Sequence, residues 1–119
     1  MFSATPVSAQ DNNDDLQVRT EADRLFAEKN YNAAFPLYSQ LLSIHRKDPY
    51  YSYRFGVCQL YSDRRDPESP IQYMQPFMNE LTGDDAIMVY YHLGVAFHQA
   101  YRFGEALKSF ETFLSRVPL

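Results

Sequence analysis

Tyr90-Tyr91-His92-Leu93-Gly94-Val95-Ala96-Phe97, followed after a short gap by Phe103-Gly104-Glu105-Ala106-Leu107-Lys108-Ser109-Phe110-Glu111-Thr112-Phe113, is the stretch that decides the fold. Apolar and aromatic residues recur there at three- and four-residue steps, the period of a helix and not the alternation of a strand. Gly94 and Ala106 are small where two paired helices would approach closely. Tyr90, Phe97 and Phe110 are large enough to fill the space around that contact. Tyr101-Arg102 supplies a corner between the two helices, and Pro118 ends the hairpin because a proline cannot continue it.

The same periodicity extends outward over Leu16 to Leu119, where β-branched residues are sparse, so the chain is expected to be all-α. Breakers divide it into similar pieces. Asp48-Pro49 and Ser69-Pro70 each place a capping residue before a proline suited to the first helical turn, and Thr82-Gly83-Asp84-Asp85 marks a further stop and start. Six helices are expected, at about 15–29, 31–45, 49–62, 69–81, 85–100 and 103–116. Pro76 inside the fourth predicts a kink or an early end. These helices repeat in pairs. Ala22, Gly56 and Gly94 fall at matching places on the first helix of each pair, and Tyr38, Met74 and Phe110 on the second, as do Ala34, Pro70 and Ala106.

A helix pair recurring at this period, with Tyr90-x2-Leu93-Gly94-x2-Phe97, Phe103-x2-Ala106-x3-Phe110-x2-Phe113 and Pro118 in its third copy, resembles a tetratricopeptide repeat. The first pair is similar through Ala22, Leu25, Tyr31, Ala34, Tyr38 and Leu41, with Pro49 arriving late. The second is the most degenerate: it keeps Phe55-Gly56 but carries Pro70, Pro76 and an Arg64-Arg65-Asp66-Pro67 corner. The resemblance implies a right-handed α-α superhelix over residues 16–119, with repeats at about 16–48, 49–84 and 85–118. No polar-faced capping helix follows Pro118-Leu119, so either the last hairpin exposes apolar surface or the chain is an N-terminal module of a longer protein, and the second is the favoured expectation.

The 119 residues are enough for one domain and too few for two. With 45% apolar and 22% charged residues and no apolar run of membrane-spanning length, the composition is that of a soluble globular chain. A net charge of −4 provides no basic field for a nucleic-acid backbone. Residues 1–15 are expected to be a disordered leader. Within it, residues 2–9 are small and polar, which reads either as the tail of a secretory signal or as a loose N-terminal tag. Asp11-Asn12-Asn13-Asp14-Asp15 reads as a solvated segment whose last aspartates cap the first helix.

Nothing in the sequence carries a catalytic motif, and the expectation is a protein that is not an enzyme and holds no cofactor or metal. The four glycines, at 56, 83, 94 and 104, form no phosphate-binding loop. His92 and His98 are six residues apart, a spacing that does not place them on one face, and His45 lies on another helix. Cys58, the one cysteine, is expected to be a small buried thiol.

The resemblance implies a binding surface on the concave side, lined by the first helix of each pair. The corresponding residues are Arg19, Asp23 and Phe26, then Tyr50, Tyr53, Arg54, Val57 and Tyr61, then Tyr91, His92, Val95 and His98. Tyrosine and arginine dominate binding energy at protein interfaces, although Tyr50 and Tyr61 read equally well as hairpin-to-hairpin packing. One subclass of the family grips a carboxylate tail with basic and amide residues. Asp23, Val57, Met88 and His92 stand at its positions here, so that activity is not expected. A partner protein segment is expected instead, packing on Tyr53, Arg54 and Tyr91.

The leader and the run Leu25-Phe26 to Pro36-Leu37-Tyr38 are similar to N-terminal repeat modules of bacterial envelope proteins that precede an OmpA-like domain. Some of these serve type IX secretion, which implies a periplasmic or envelope location; otherwise the chain is cytoplasmic. Two alternatives stand beside groove binding. One is a spacer docking on other domains of its own chain. The other is a homodimer through the last hairpin, with Phe103, Leu107, Phe110 and Leu114 as contacts.

Overall fold

A computed structural model describes the backbone of residues 5–63 and 66–118, with side-chain surroundings from residue 13 onward. Among the described residues it contains six α-helices: α1 (Thr5–Ala27), α2 (Tyr31–Ile44), α3 (Pro49–Leu60), α4 (Ser69–Met74), α5 (Gly83–Gln99) and α6 (Phe103–Arg116). A single 3₁₀ turn, Met78–Glu80, follows α4, and no strand occurs among the described residues. The all-α expectation is met.

Two boundaries and one cap differ from expectation. α1 begins at Thr5, not near 15, so the segment read as a disordered leader is helical from Thr5 onward; residues 1–4 and the side chains of the small-residue segment lie outside the described residues. Asp11 to Asp15 are weak helix formers but not breakers, and no glycine or proline interrupts the chain between Pro6 and Ala27. Asp15 therefore caps nothing, and its carboxylate meets His45 Nε2 at 2.8 Å instead. α4 ends at Met74, short of 81, because Pro76 has no N–H to donate and its ring would strike the carbonyl one turn back. Ser69 is helical and not a cap; its hydroxyl accepts from Gln59 Nε2 at 2.8 Å. Asp48 behaves as expected, its Oδ1 accepting from the amides of Tyr50 and Tyr51 ahead of Pro49.

The turns α1–α2 and α5–α6 are built alike. In the first, Lys29 adopts φ 61° while its amide donates to Phe26 O and that of Asn30 to Leu25 O. In the second, Tyr101 adopts φ 60°, its amide donates to His98 O and that of Arg102 to Phe97 O. Each is a six-to-one helix stop with a left-handed residue, a place usually filled by glycine.

Close approach within pairs rests on the small residues. A Cβ added at Gly94 would lie 2.5 Å from the Phe110 ring, and one at Gly56 would lie 2.8 Å from Met74 Cγ and 3.0 Å from Pro70 O. Two apolar clusters result. One joins Ala22, Leu25, Ala34, Tyr38 and Leu41 to Tyr51, Phe55 and Cys58. The other joins Tyr53, Val57 and Leu60 to Ile71, Met74, Val89, Leu93 and Phe97. α3 supplies both, so it is buried nearly all round, as its apolar sequence requires.

Candidate functional site

The odd-numbered helices lie side by side, and a polar chain marks their shared face. Asp23 of α1 accepts from the Tyr38 hydroxyl at 2.6 Å and the Tyr50 hydroxyl at 2.7 Å through one oxygen, Oδ1. Arg54 of α3 places Nη1 3.7 Å from that oxygen and Nη2 3.6 Å from Asp85 Oδ1 of α5. Its guanidinium also rests over the rings of Phe26, at 4.1 Å, and Tyr50, at 4.6 Å. Arg19 also lies over the Tyr50 ring, at 4.3 Å, and 3.6 Å from Asp23 Oδ2.

Burial opposes the charge on Arg54, but its hydrogen bond with Tyr38 and the field of Tyr38, Tyr50 and Asp85 outweigh it, so the guanidinium stays above its ordinary range. Burial raises Asp85, with Arg54 pulling the other way. Burial pushes Tyr50 up to about 12 and Tyr38 well above the usual phenol range, each reinforced by its bond to Asp23. These phenols therefore stay protonated and act as donors to the carboxylate. The network joins the hairpins: Arg54 and Asp23 link the first two pairs and reach the third, while Arg54 Nε is buried without a hydrogen-bond partner among the described residues.

Three residues expected to line the binding surface are in the core. Tyr53 is 2% exposed, Val57 is fully buried and His92 is 9% exposed. The reason is that α3 lies between two hairpins, so the face that would look outward is covered by α5. Tyr53 therefore cannot meet a partner, and replacing it would open a cavity. His92 shares a hydrogen bond of 2.8 Å with the Tyr61 hydroxyl, and burial holds its pKa down to about 4. His98 is exposed against the Phe103 ring, and Val95 is half-buried beside the second cluster. The three histidines are thus apart, each in a separate setting.

What remains accessible on this face is a cleft of about 370 Å³ lined by Lys29, Tyr31, Tyr61, Met88, Tyr91 and His92. Tyr31 and Tyr61 stack with centroids 5.2 Å apart, and Tyr91, 39% exposed, leans on Phe110 and Phe113. Tyr61, Tyr91 and His92 were expected on this face. Met88 stood at a position of the carboxylate clamp, whereas Lys29 and Tyr31 were not expected, since Lys29 is placed by its left-handed turn and Tyr31 read as packing alone.

No helix among the described residues is long and apolar enough to cross a membrane. Comparison with protein-family profiles, with curated proteins and with solved structures finds no match for this chain.

Proposed function

We propose that the chain is a non-catalytic interaction module of tetratricopeptide type that holds a segment of a partner protein on the face shared by α1, α3 and α5. The observation that carries this reading is the Lys29–Tyr91 cleft: partly exposed tyrosines and a methionine beside a cation, on a face whose central arginine, Arg54, is already paired with Asp23 and Asp85. Aromatic anchors in a formed cleft are the usual centres of binding energy. The shared turn geometry at α1–α2 and α5–α6 and the close approaches at Gly56 and Gly94 support the repeat. A place within a larger cell-envelope protein, in the periplasm and of the kind that serves type IX secretion, rests on the sequence resemblance.

The test is affinity capture from envelope and cytosolic extracts with the wild type and a Met88→Glu/Tyr91→Ala variant whose helicity is checked by circular dichroism. A protein held by the wild type and lost by the folded variant is expected. Equal capture by both overturns the cleft as the binding site.

A second reading, self-association, is favoured by α6, where Phe103, Leu107 and Leu114 are 54%, 61% and 71% exposed. It predicts a mass that rises with concentration in analytical ultracentrifugation and falls back to a monomer in Leu107→Glu. A monomer at all concentrations removes it.

A further inference from the structure

A second and larger cleft, about 440 Å³, lies between α2 and α4 on the side of the even-numbered helices. Its origin is the short α4. Where a longer helix would have continued beside α2, Pro76 diverts the chain, and Pro76 and Phe77 close one end of an open trough. The floor is apolar: Leu42, Phe55, Tyr73 and Phe77. Phe55 and Tyr73 meet edge to face at 4.6 Å, which fixes the floor as a rigid aromatic surface.

The polar groups of the rim are unequal. Ser52 donates to Tyr73 O and Ser43 to Gln40 O, so both hydroxyl protons are committed. Ser39, Gln72 and Arg46 keep donors for a ligand. Among the described residues, Arg46 is the one ionised side chain in the lining and no carboxylate lines the cleft. Arg19, Arg24, Arg54 and Arg102 each meet a carboxylate, whereas Arg46 makes no ion pair among the described residues. In a chain of net charge −4, the cleft is thus a local exception that complements an anion. From Ser39 to Ser43 the rim follows about one turn of α2, roughly 6 Å, and Arg46 stands in the turn beyond the end of that helix.

We propose that this cleft binds a short acidic segment of a partner protein, with an aromatic or branched apolar side chain on the Phe55–Phe77 floor and an adjacent carboxylate on the Arg46 guanidinium. The open cleft fits a peptide segment, since small ligands are bound with most of their surface enclosed. The site is separate from the Lys29–Tyr91 cleft, and its test does not depend on what binds there.

The experiment is an amide NMR titration of the 119-residue chain with an acetylated, amidated tetrapeptide carrying aspartate and phenylalanine at its centre. The same peptide with asparagine for aspartate, and 3-phenylpropanoate, are the other ligands. The aspartate peptide is expected to give saturable shifts at the amides of Leu42, Ser43, Arg46 and Phe77. The asparagine peptide is expected to bind about tenfold more weakly, the worth of one charge-assisted hydrogen bond. Arg46→Gln, at an exposed position beyond the end of α2, should abolish that tenfold preference and leave the asparagine peptide unchanged. Absence of saturable shifts at these amides, equal binding of the two peptides, or an unchanged preference in Arg46→Gln overturns the proposal. Tighter binding of 3-phenylpropanoate than of the aspartate peptide overturns the peptide occupant in favour of a small carboxylate.

Discussion

The first and third hairpins turn in the same way, through a left-handed Lys29 or Tyr101 and the same pair of backbone bonds, while the second follows a longer path and loses half of its second helix at Pro76. Yet the irregular hairpin contains the most buried helix of the molecule. α3 is held by neighbours on both sides, with Asp23 and Tyr50 at one joint and Tyr61 and His92 at the other. The outer hairpins have a neighbour on one side only and lean more on their own turns. Regular local geometry and deep tertiary support thus trade places along the chain.

Acid should strain the joint between the second and third hairpins most. His92 is held down to about 4 in the folded protein, against an ordinary value of 6.5. Below pH 6.5 the unfolded chain binds the proton and the folded one does not, so stability falls as pH drops toward 4, by about 3 kcal/mol in all. Asp85, raised in the folded state, works in the opposite direction at the acid end of that range. Denaturation at pH 7 and 4.5 should show a slope that His92→Gln flattens; an equal slope in the variant refutes this assignment.

The other joint is tested by Asp23→Ala, which strips the acceptor from two tyrosine hydroxyls and a carboxylate from Arg54. A loss of about 2–3 kcal/mol is expected in urea denaturation, and a loss below about 0.5 kcal/mol would assign the network to the surface.

Within pairs, Gly94→Ala should cost about 2 kcal/mol, because three ring atoms of Phe110 stand in the way. Gly56→Ala should cost about 1 kcal/mol, since a flexible methionine yields more easily. If Phe110→Leu does not reduce the Gly94→Ala penalty, the ring is not its source.

The smallest effect concerns the turns. Lys29→Gly and Tyr101→Gly should each stabilise by about 0.5–1 kcal/mol by removing left-handed strain, and their melting points should rise together. A rise in one alone would show that the two turns differ.

Much of the fold was legible because spacing at Gly94, Ala106 and Phe110 encodes close helix approach directly. The stop at Pro76 was legible for the same local reason. The candidate site was less so. Periodicity identifies a buried face when a helix has one, but α3 has two, and Tyr53 and Val57 fell on the second. His92 went the same way, because nothing local says that Tyr61 reaches it. The helical start at Thr5 was hidden by acidic residues that disfavour a helix without forbidding one. The Lys29 cleft and the Arg46 cleft depend on where turns bring distant segments, and a lysine or tyrosine in a left-handed turn leaves no mark in the sequence.

Cys58, the sole thiol, sits on α3 with no exposed surface, and burial pushes it up to about 12. Its reaction with a thiol reagent must wait for α3 to separate from the helices around it. Since Cys58 belongs to the cluster that α3 shares with α1 and α2, the labelling rate of the unmodified protein counts the events in which the first hairpin separates from α3. Fraying at α6 would leave that rate unchanged.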